Sequence, residues 1–539
     1  MRFPWSYAKR GVAGAIFGIY MAHLLYYLNP QIDITPARLI LVTLIYGVVC
    51  GLIFGSILWG FRWLRLTLFG RGEAAARPHG FGFVVAAAFF SAFVYWAHLA
   101  LLRVYLPIGA IRILSKATTV IAATAVVLLI LWLVERTAGR RTSRILFTTG
   151  VALIFLSSFF LYQRREGYRS ENRAPVVAQI ATGQERTAVV IAVRGLPYDW
   201  IVTLRGEGAV PFFASAIERG FFARVEPFST TSPKALWASL NTGKLPNRHG
   251  VTGRFSYQTP LNRPGEPFLL VPMGVGFKGW GLVPPVRRIS ASLPAGRSLP
   301  FWRAWERVGF DAQIFGWDQG TRGQEPSDPR VEGPVAGLLP EDRARLEAAT
   351  ESSFATLVAI EIESLERARV PSGAPRNELP PRHTPEGEAI RAILAELDTA
   401  LAGIAARHPD AILAVVSPSA PDPPELPVTL PSMIRAIEES QDPGADDGLF
   451  LLTGEGVGPR ANAPEIRVVD VVPTLLFASG LPIGRDMDGR VVTEAFADSF
   501  LRAHPIQLIQ TFESERLDVR RPPAPPAAQS DPQVPSPLR

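Results

Sequence analysis

Catalysis by a bound metal needs nitrogen, sulfur or carboxylate ligands that converge on one point, and beyond residue 185 this 539-residue chain offers four histidines: His249, His383, His408 and His504. That set cannot readily furnish two such centres. His408 precedes Pro409 at a helix end, where a cap or surface role is the plainer one, and His383 lies in the proline-rich run Pro380-Pro381-Arg382-His383-Thr384. Cys50 is the one cysteine, so no intrachain disulfide can form, and in its apolar run packing is the plainer role. His23 and His98 also lie in apolar runs, where an ionisable group is costly and often functional. A neutral imidazole bonded to a neighbouring helix is the alternative.

The elements that must position these residues are of two kinds. A mean hydropathy of +0.17 is high for a wholly soluble chain, and the surplus sits in five N-terminal apolar runs, at about 11–28, 38–60, 81–102, 117–134 and 145–162. Each is long enough to cross the ~30 Å hydrocarbon layer as a helix. They recur with basic loops between them, so residues 1–165 are expected to be a retained membrane domain of five spans. Arg62, Arg65, Arg71 and Arg77 follow the second span, and Arg136, Arg140, Arg141 and Arg144 the fourth; fewer basic residues stand on the other side. That bias predicts a cytoplasmic N-terminus and a C-terminal domain outside, with a bacterial inner membrane and a periplasmic domain as the expected setting. The net charge of +7 is mostly arginine flanking the spans, which suits anionic lipid headgroups. No basic and aromatic stripe points to nucleic acid.

Residues 166–185 are expected to be a linker, and 513–539, rich in Pro and Ala, a disordered tail. Between them, 186–512 alternates short apolar strands with amphipathic helices, the pattern of an α/β domain with a mainly parallel central sheet. Strands are expected at 188–193, 312–316, 356–362, 411–417 and 449–453, and helices at 211–220, 234–242, 300–308, 340–355, 385–407 and 470–479. In such a sheet the working site lies at the carboxyl ends of the strands. The first strand ends in Arg194-Gly195, and the late strand at 411–417 in Pro418-Ser419-Ala420.

Several segments resemble the alkaline phosphatase superfamily, in its type I phosphodiesterase and nucleotide pyrophosphatase-like branch. They are 190–196, 210–220, the run Ser232-Pro233-Lys234 to Gly243-Lys244, His249-Gly250-Val251, 299–305 with Gly316-Trp317, and 469–476 followed by Asp486-Met487-Asp488-Gly489-Arg490. The resemblance covers most of 186–510. It implies two zinc-like ions held by three aspartates and three histidines, with a Ser or Thr between them attacking phosphorus or sulfur. Position by position, this chain departs from that pattern. Arg194 stands where the first aspartate is expected. The nucleophile region offers Ser232, or Thr231 if the helix entry shifts, but Pro233 takes the usual slot. The paired Asp and His fall near 357–369, where the acids are Glu361 and Glu363 and their partners four residues on are Leu365 and Arg367. Asp-His-Gly becomes Pro418-Ser419-Ala420, and the last histidine corresponds to Gly444 ahead of Gly448. His249 matches a turn-shaping histidine outside the ligand set.

Arg194 is expected either to fill the vacated hole and pair with Glu361 or Glu363, a fixed charge in place of an ion, or to point to solvent. No residue is expected to be catalytically active and no cofactor to be bound. The leading expectation is a membrane-anchored pseudoenzyme serving as scaffold, complex subunit or ligand-binding module, with membrane lipid and a protein partner or second copy as partners. The alternative is an active metal-dependent phosphodiesterase or headgroup phosphotransferase with two zinc-like ions. A third reading places function in the spans, at His23 and His98.

Overall fold

The computed structural model describes residues 3–69, 80–137, 140–167, 177–181, 186–227, 233–252, 255–259, 267–272, 287–290, 298–317, 337–352, 356–367, 378–419, 447–460, 463–514 and 516–520. Five long helices open the chain: α1 (Phe3–Leu28), α2 (Pro36–Phe69), α3 (Gly80–Leu101), α4 (Ile108–Thr137) and α5 (Arg140–Glu166). All five contain segments long and apolar enough to cross a membrane. Glycines let α1 and α2 touch through their backbones. A Cβ on Gly14 would sit 2.2 Å from the Cys50 carbonyl oxygen, and one on Gly18 2.4 Å from that of Tyr46, the close approach that small residues permit between membrane helices.

Hydroxyls then tie the helices together. Tyr20 Oη lies 2.8 Å from Ser157 Oγ, Tyr95 donates to the Tyr20 carbonyl at 2.8 Å, and Tyr27 donates to the Leu161 carbonyl at 2.9 Å. His23 Nε2 lies 2.7 Å from Ser158 Oγ, and His98 Nδ1 2.7 Å from the Val94 carbonyl.

The second unit is built on strands β1 (Val177–Ala181), β2 (Ala188–Val193), β3 (Phe221–Glu226), β4 (Phe255–Gln258), β5 (Arg287–Ser290), β6 (Ala312–Phe315), β7 (Leu357–Ile362), β8 (Ile412–Ser419), β9 (Asp447–Thr453), β10 (Ile466–Arg467), β11 (Ile483–Gly484), β12 (Leu508–Ile509) and β13 (Arg516–Arg520). Seven form the central sheet in the order β10-β3-β9-β8-β2-β7-β6. Only β9 among them runs against its neighbours, so the sheet is mainly parallel.

Parallel strands buried on both faces read as unbroken apolar runs, and β2 is buried at every position. Its two faces differ in bulk. Val189, Ile191 and Val193 meet the helices α6 (Tyr198–Gly206), α7 (Pro211–Arg219), α11 (Pro340–Glu351) and α13 (Pro385–Arg407). Ala188 and Ala192, with Ala223, Ala359 and Ala414, line the other face and leave room for Trp237, Trp302, Trp305 and Trp317. Those aromatics come from α8 (Pro233–Thr242), α10 (Phe301–Arg307) and the turn after β6. The short helices α9 (Pro246–His249) and α12 (Ser364–Arg367) follow α8 and β7, and α14 (Val471–Ala478) and α15 (Asp498–Ala503) complete the unit.

Two expected boundaries shift. Val177–Ala181, inside the expected linker, pairs in parallel with Arg516–Arg520, inside the expected tail. Ser514 is fully buried and Glu513 accepts a bond from Lys244. The folded unit therefore reaches residue 520, because the strand that precedes it and the strand that follows it pair with each other. Residues 521–539 lie outside the described residues.

Asn29 joins the two units, and Arg165 fixes the turn that holds it. Asn29, buried where α1 ends, accepts from Leu269 and Leu270 backbone N–H at 2.7 and 3.1 Å and donates to the Leu270 carbonyl at 2.6 Å. Arg165, at the end of α5, donates to the carbonyls of Tyr26, Asn29, Pro30 and Ile32.

Candidate functional site

The carboxyl ends of β2, β7 and β8 lie side by side, and there the chain must turn away from the sheet. After β2 it does so through Gly195, whose φ of 73° is a conformation that side chains with a Cβ rarely adopt. The Arg194 amide donates to the Ile362 carbonyl at 2.9 Å, extending the ladder between β2 and β7 by one rung. Its guanidinium then folds back. Nε donates to Glu361 Oε1 at 2.5 Å, Nη1 reaches Glu366 Oε2 at 3.5 Å, and Cζ stands 4.5 Å above the Trp237 ring. Of the two alternatives for Arg194, the structure has the paired one. Its second carboxylate is Glu366, one turn further than Glu363, which lies 3.8 Å from Arg345 instead.

Arg194 is 22% exposed and Glu361 1%. Burial opposes the arginine charge, and the carboxylates of Glu361, Glu366 and Glu363 outweigh it, holding the guanidinium above its ordinary range. The site thus carries a permanent cation, pressed on an aromatic face that favours it. Asp342 supports the turn beneath: its Oδ2 accepts from the Glu363 and Ser364 amides at 2.8 Å and from Ser364 Oγ at 2.6 Å, while Oδ1 takes Arg345. A buried carboxylate is tolerated there because its lone pairs are filled.

At the end of β8, Ser417 Oγ accepts from the Leu196 amide at 3.1 Å and donates to the Ser419 carbonyl at 2.9 Å. Pro418 and Ser419 stay in the strand, Ser419 opposite Asp447 of β9. Beside them Arg224 spans Asp199 and Asp447 and stacks 4.4 Å over Tyr198. Burial raises the Asp447 carboxyl above its ordinary value, an effect that Arg224 only partly offsets. Thr231, Ser232, Ala420 and Gly444 lie outside the described residues.

The histidines are engaged elsewhere. His249 Nδ1 accepts from the Val251 amide at 3.1 Å, so Nε2 carries the proton and faces Ser239 Oγ at 2.9 Å. Burial, with Lys244 nearby, pushes its pKa down to about 3. His504 Nε2 faces Arg186 and Nδ1 the Phe500 carbonyl. His408 closes α13, its amide on the Ile404 carbonyl, and His383 is exposed in its loop.

Among the described residues no three of His, Cys, Asp and Glu gather as a metal-holding group. The described residues at the strand ends do not fit a dication. One is a cation, Glu361 is already paired with it, Ser417 has its hydroxyl bonded both ways, and Pro418 brings no donor atom in its side chain. Sequence reasoning missed Glu366, Asp342, Ser417 and Trp237 as members of this cluster. The phase of Trp237 on α8 was the one available signal.

The fold and site define a five-helix membrane-type bundle carrying a mainly parallel α/β domain. No protein-family model matches the sequence, and no curated protein does. Among solved structures, a 2-O GAG sulfatase is similar with a TM-score of 0.38 and 13% identity, over 58% of this chain and 74% of that one. Human ectonucleotide pyrophosphatase/phosphodiesterase 5 gives 0.36 and 11%, over 60% and 99%. The murine protein, in complex with AMP, gives 0.35 and 12%, over 58% and 100%. At such scores the likeness adds no weight to the strand order, which stands by itself.

Proposed function

We propose that this chain is a membrane-anchored pseudoenzyme, an alkaline-phosphatase-like domain kept for its surface as scaffold, complex subunit or ligand-binding module. The observation that carries the reading is the Arg194–Glu361 pair at the ends of β2 and β7. A guanidinium occupies the place that the resemblance gives to a metal-binding aspartate. A dication about 4 Å from it would be repelled by roughly 8 kcal/mol at an effective dielectric near 20. Arg194 supplies a positive charge that does not depend on metal supply, and within the fold that charge is engaged by Glu361 and Glu366.

The setting is part of the same proposal. The arginine bias of the span-flanking loops supports a cytoplasmic N-terminus and a domain on the periplasmic side of a bacterial inner membrane. A protein partner or a second copy, together with lipid, is the expected company.

Turnover tests the reading. The full chain, purified in detergent and supplied with zinc or manganese, is expected to hydrolyse a bis-aryl phosphate ester no faster than a metal-free control. Ordinary turnover that disappears in Ser232→Ala would overturn the proposal in favour of a working phosphodiesterase or headgroup transferase.

A further inference from the structure

A groove of ≈ 250 Å³ opens on the side of the helix bundle between α4 and α5. Ala117 and Val120 of α4 and Phe160 and Leu161 of α5 make its apolar walls, and Lys116 and Arg164 stand at its edge. The spacing explains the arrangement. Lys116 precedes Val120 by four residues on α4, and Arg164 follows Phe160 by four on α5, so each helix stacks one cation on one apolar side chain. Consecutive spans run in opposite directions, which brings both cations to the same end. That end is the one where α5 leaves for the α/β domain.

Both cations are exposed, and among the described residues neither has a carboxylate in an ion pair. The neighbouring arginine behaves otherwise: Arg165 turns inward onto four backbone carbonyls, while Arg164 turns out to the groove. Apolar walls with a doubly cationic end match a molecule that is anionic at one end and hydrocarbon at the other. A soluble anion would leave the walls unused. The volume is below the roughly 300–1,000 Å³ of clefts that enclose a whole small ligand, so it suits part of a lipid, the phosphate and the upper stretch of one chain.

We propose that this groove is a site for an anionic phospholipid, its phosphate between Lys116 and Arg164 and an acyl chain along Val120 and Phe160, in the leaflet nearest the α/β domain. The site lies in the bundle and is independent of whether the cleft at the strand ends turns anything over.

The test is native mass spectrometry of the full chain released from nanodiscs of phosphatidylcholine mixed with phosphatidylglycerol. The wild-type chain is expected to retain phosphatidylglycerol in preference to phosphatidylcholine, by about 5-fold for each cation, as for Lys or Arg beside an anionic lipid surface. The preference is expected to vanish in K116Q/R164Q, to persist in the charge-retaining K116R/R164K, and to persist in R103Q/R112Q, which removes two exposed charges that are not part of the groove. Equal retention of the two lipids by the wild type would overturn the site, as would a loss in R103Q/R112Q equal to that in K116Q/R164Q. Release of the retained lipid by inorganic phosphate would assign a soluble anion and overturn the lipid.

Discussion

Glu361 is the group for which Arg194 matters most. With 1% exposure its carboxylate has little water to turn to, so Arg194→Ala would remove its ion pair in a buried place. Breaking a buried pair costs about 3–5 kcal/mol. The arginine side chain is 22% exposed and water can follow it in, so the lower end, about 3 kcal/mol, is the expected loss in urea unfolding. The double variant R194A/E361Q removes the buried negative charge as well and is expected to recover most of that loss. A single variant no less stable than the double would mean that the two side chains are not coupled. Sequence alone left open whether Arg194 pairs or is solvated, because the answer depends on Trp237, forty-three residues away, covering one face of the guanidinium. The charge of Glu366 was likewise unreadable, since it takes the turn capped by Asp342 to bring α12 back over the strand end.

Among elements, β2, β7, β8 and β9 were legible as apolar runs, and α7, α8, α10 and α13 as amphipathic ones. Strand β3 was not: Phe221-Phe222-Ala223-Arg224-Val225-Glu226 follows α7 after the single residue Gly220 and carries two charges, one of which, Arg224, is engaged by Asp199 and Asp447. Caps from a distance were also invisible, such as Asp398 of α13 accepting the Phe212 and Phe213 amides at the start of α7.

His249 pins α8 to α9 and carries a pH prediction. Burial holds its pKa near 3, against 6.5 for the free side chain. Between those values the unfolded chain binds a proton that the folded chain refuses. Stability should therefore be indifferent to this group above about pH 6.5 and fall as pH drops towards 3, by about 1.4 kcal/mol per pH unit. Asp398, Asp447 and Glu513, raised by burial, tilt the other way, so the readout is the difference between wild type and His249→Gln. That difference should shrink as the medium is acidified; a difference constant across the window would show that His249 is protonated in the folded state.

For the whole molecule, the bundle and the α/β domain are held in register by Asn29. It occupies both backbone amides of Leu269 and Leu270 and one carbonyl, and Phe268 meets Tyr26 edge-on with ring centroids 6.3 Å apart. Asn29→Ala removes these bonds from a buried place. At about 1 kcal/mol for each, hydrogen exchange in 267–272 should quicken by about ten-fold or more while the central sheet keeps its protection. Unchanged exchange there would mean that the junction is held by packing alone. The five spans were legible from length and composition, whereas this junction was not, because a single Asn before Pro30 reads as a turn residue.

Metal content tests the central claim most directly. Elemental analysis of the full chain, equilibrated with excess zinc and then freed of unbound ion without chelator, is expected to find far less than one zinc per chain, and Arg194→Asp is expected to take up more than the wild type. Two zinc ions per wild-type chain, lost when Glu361 is replaced by Gln, would contradict the account.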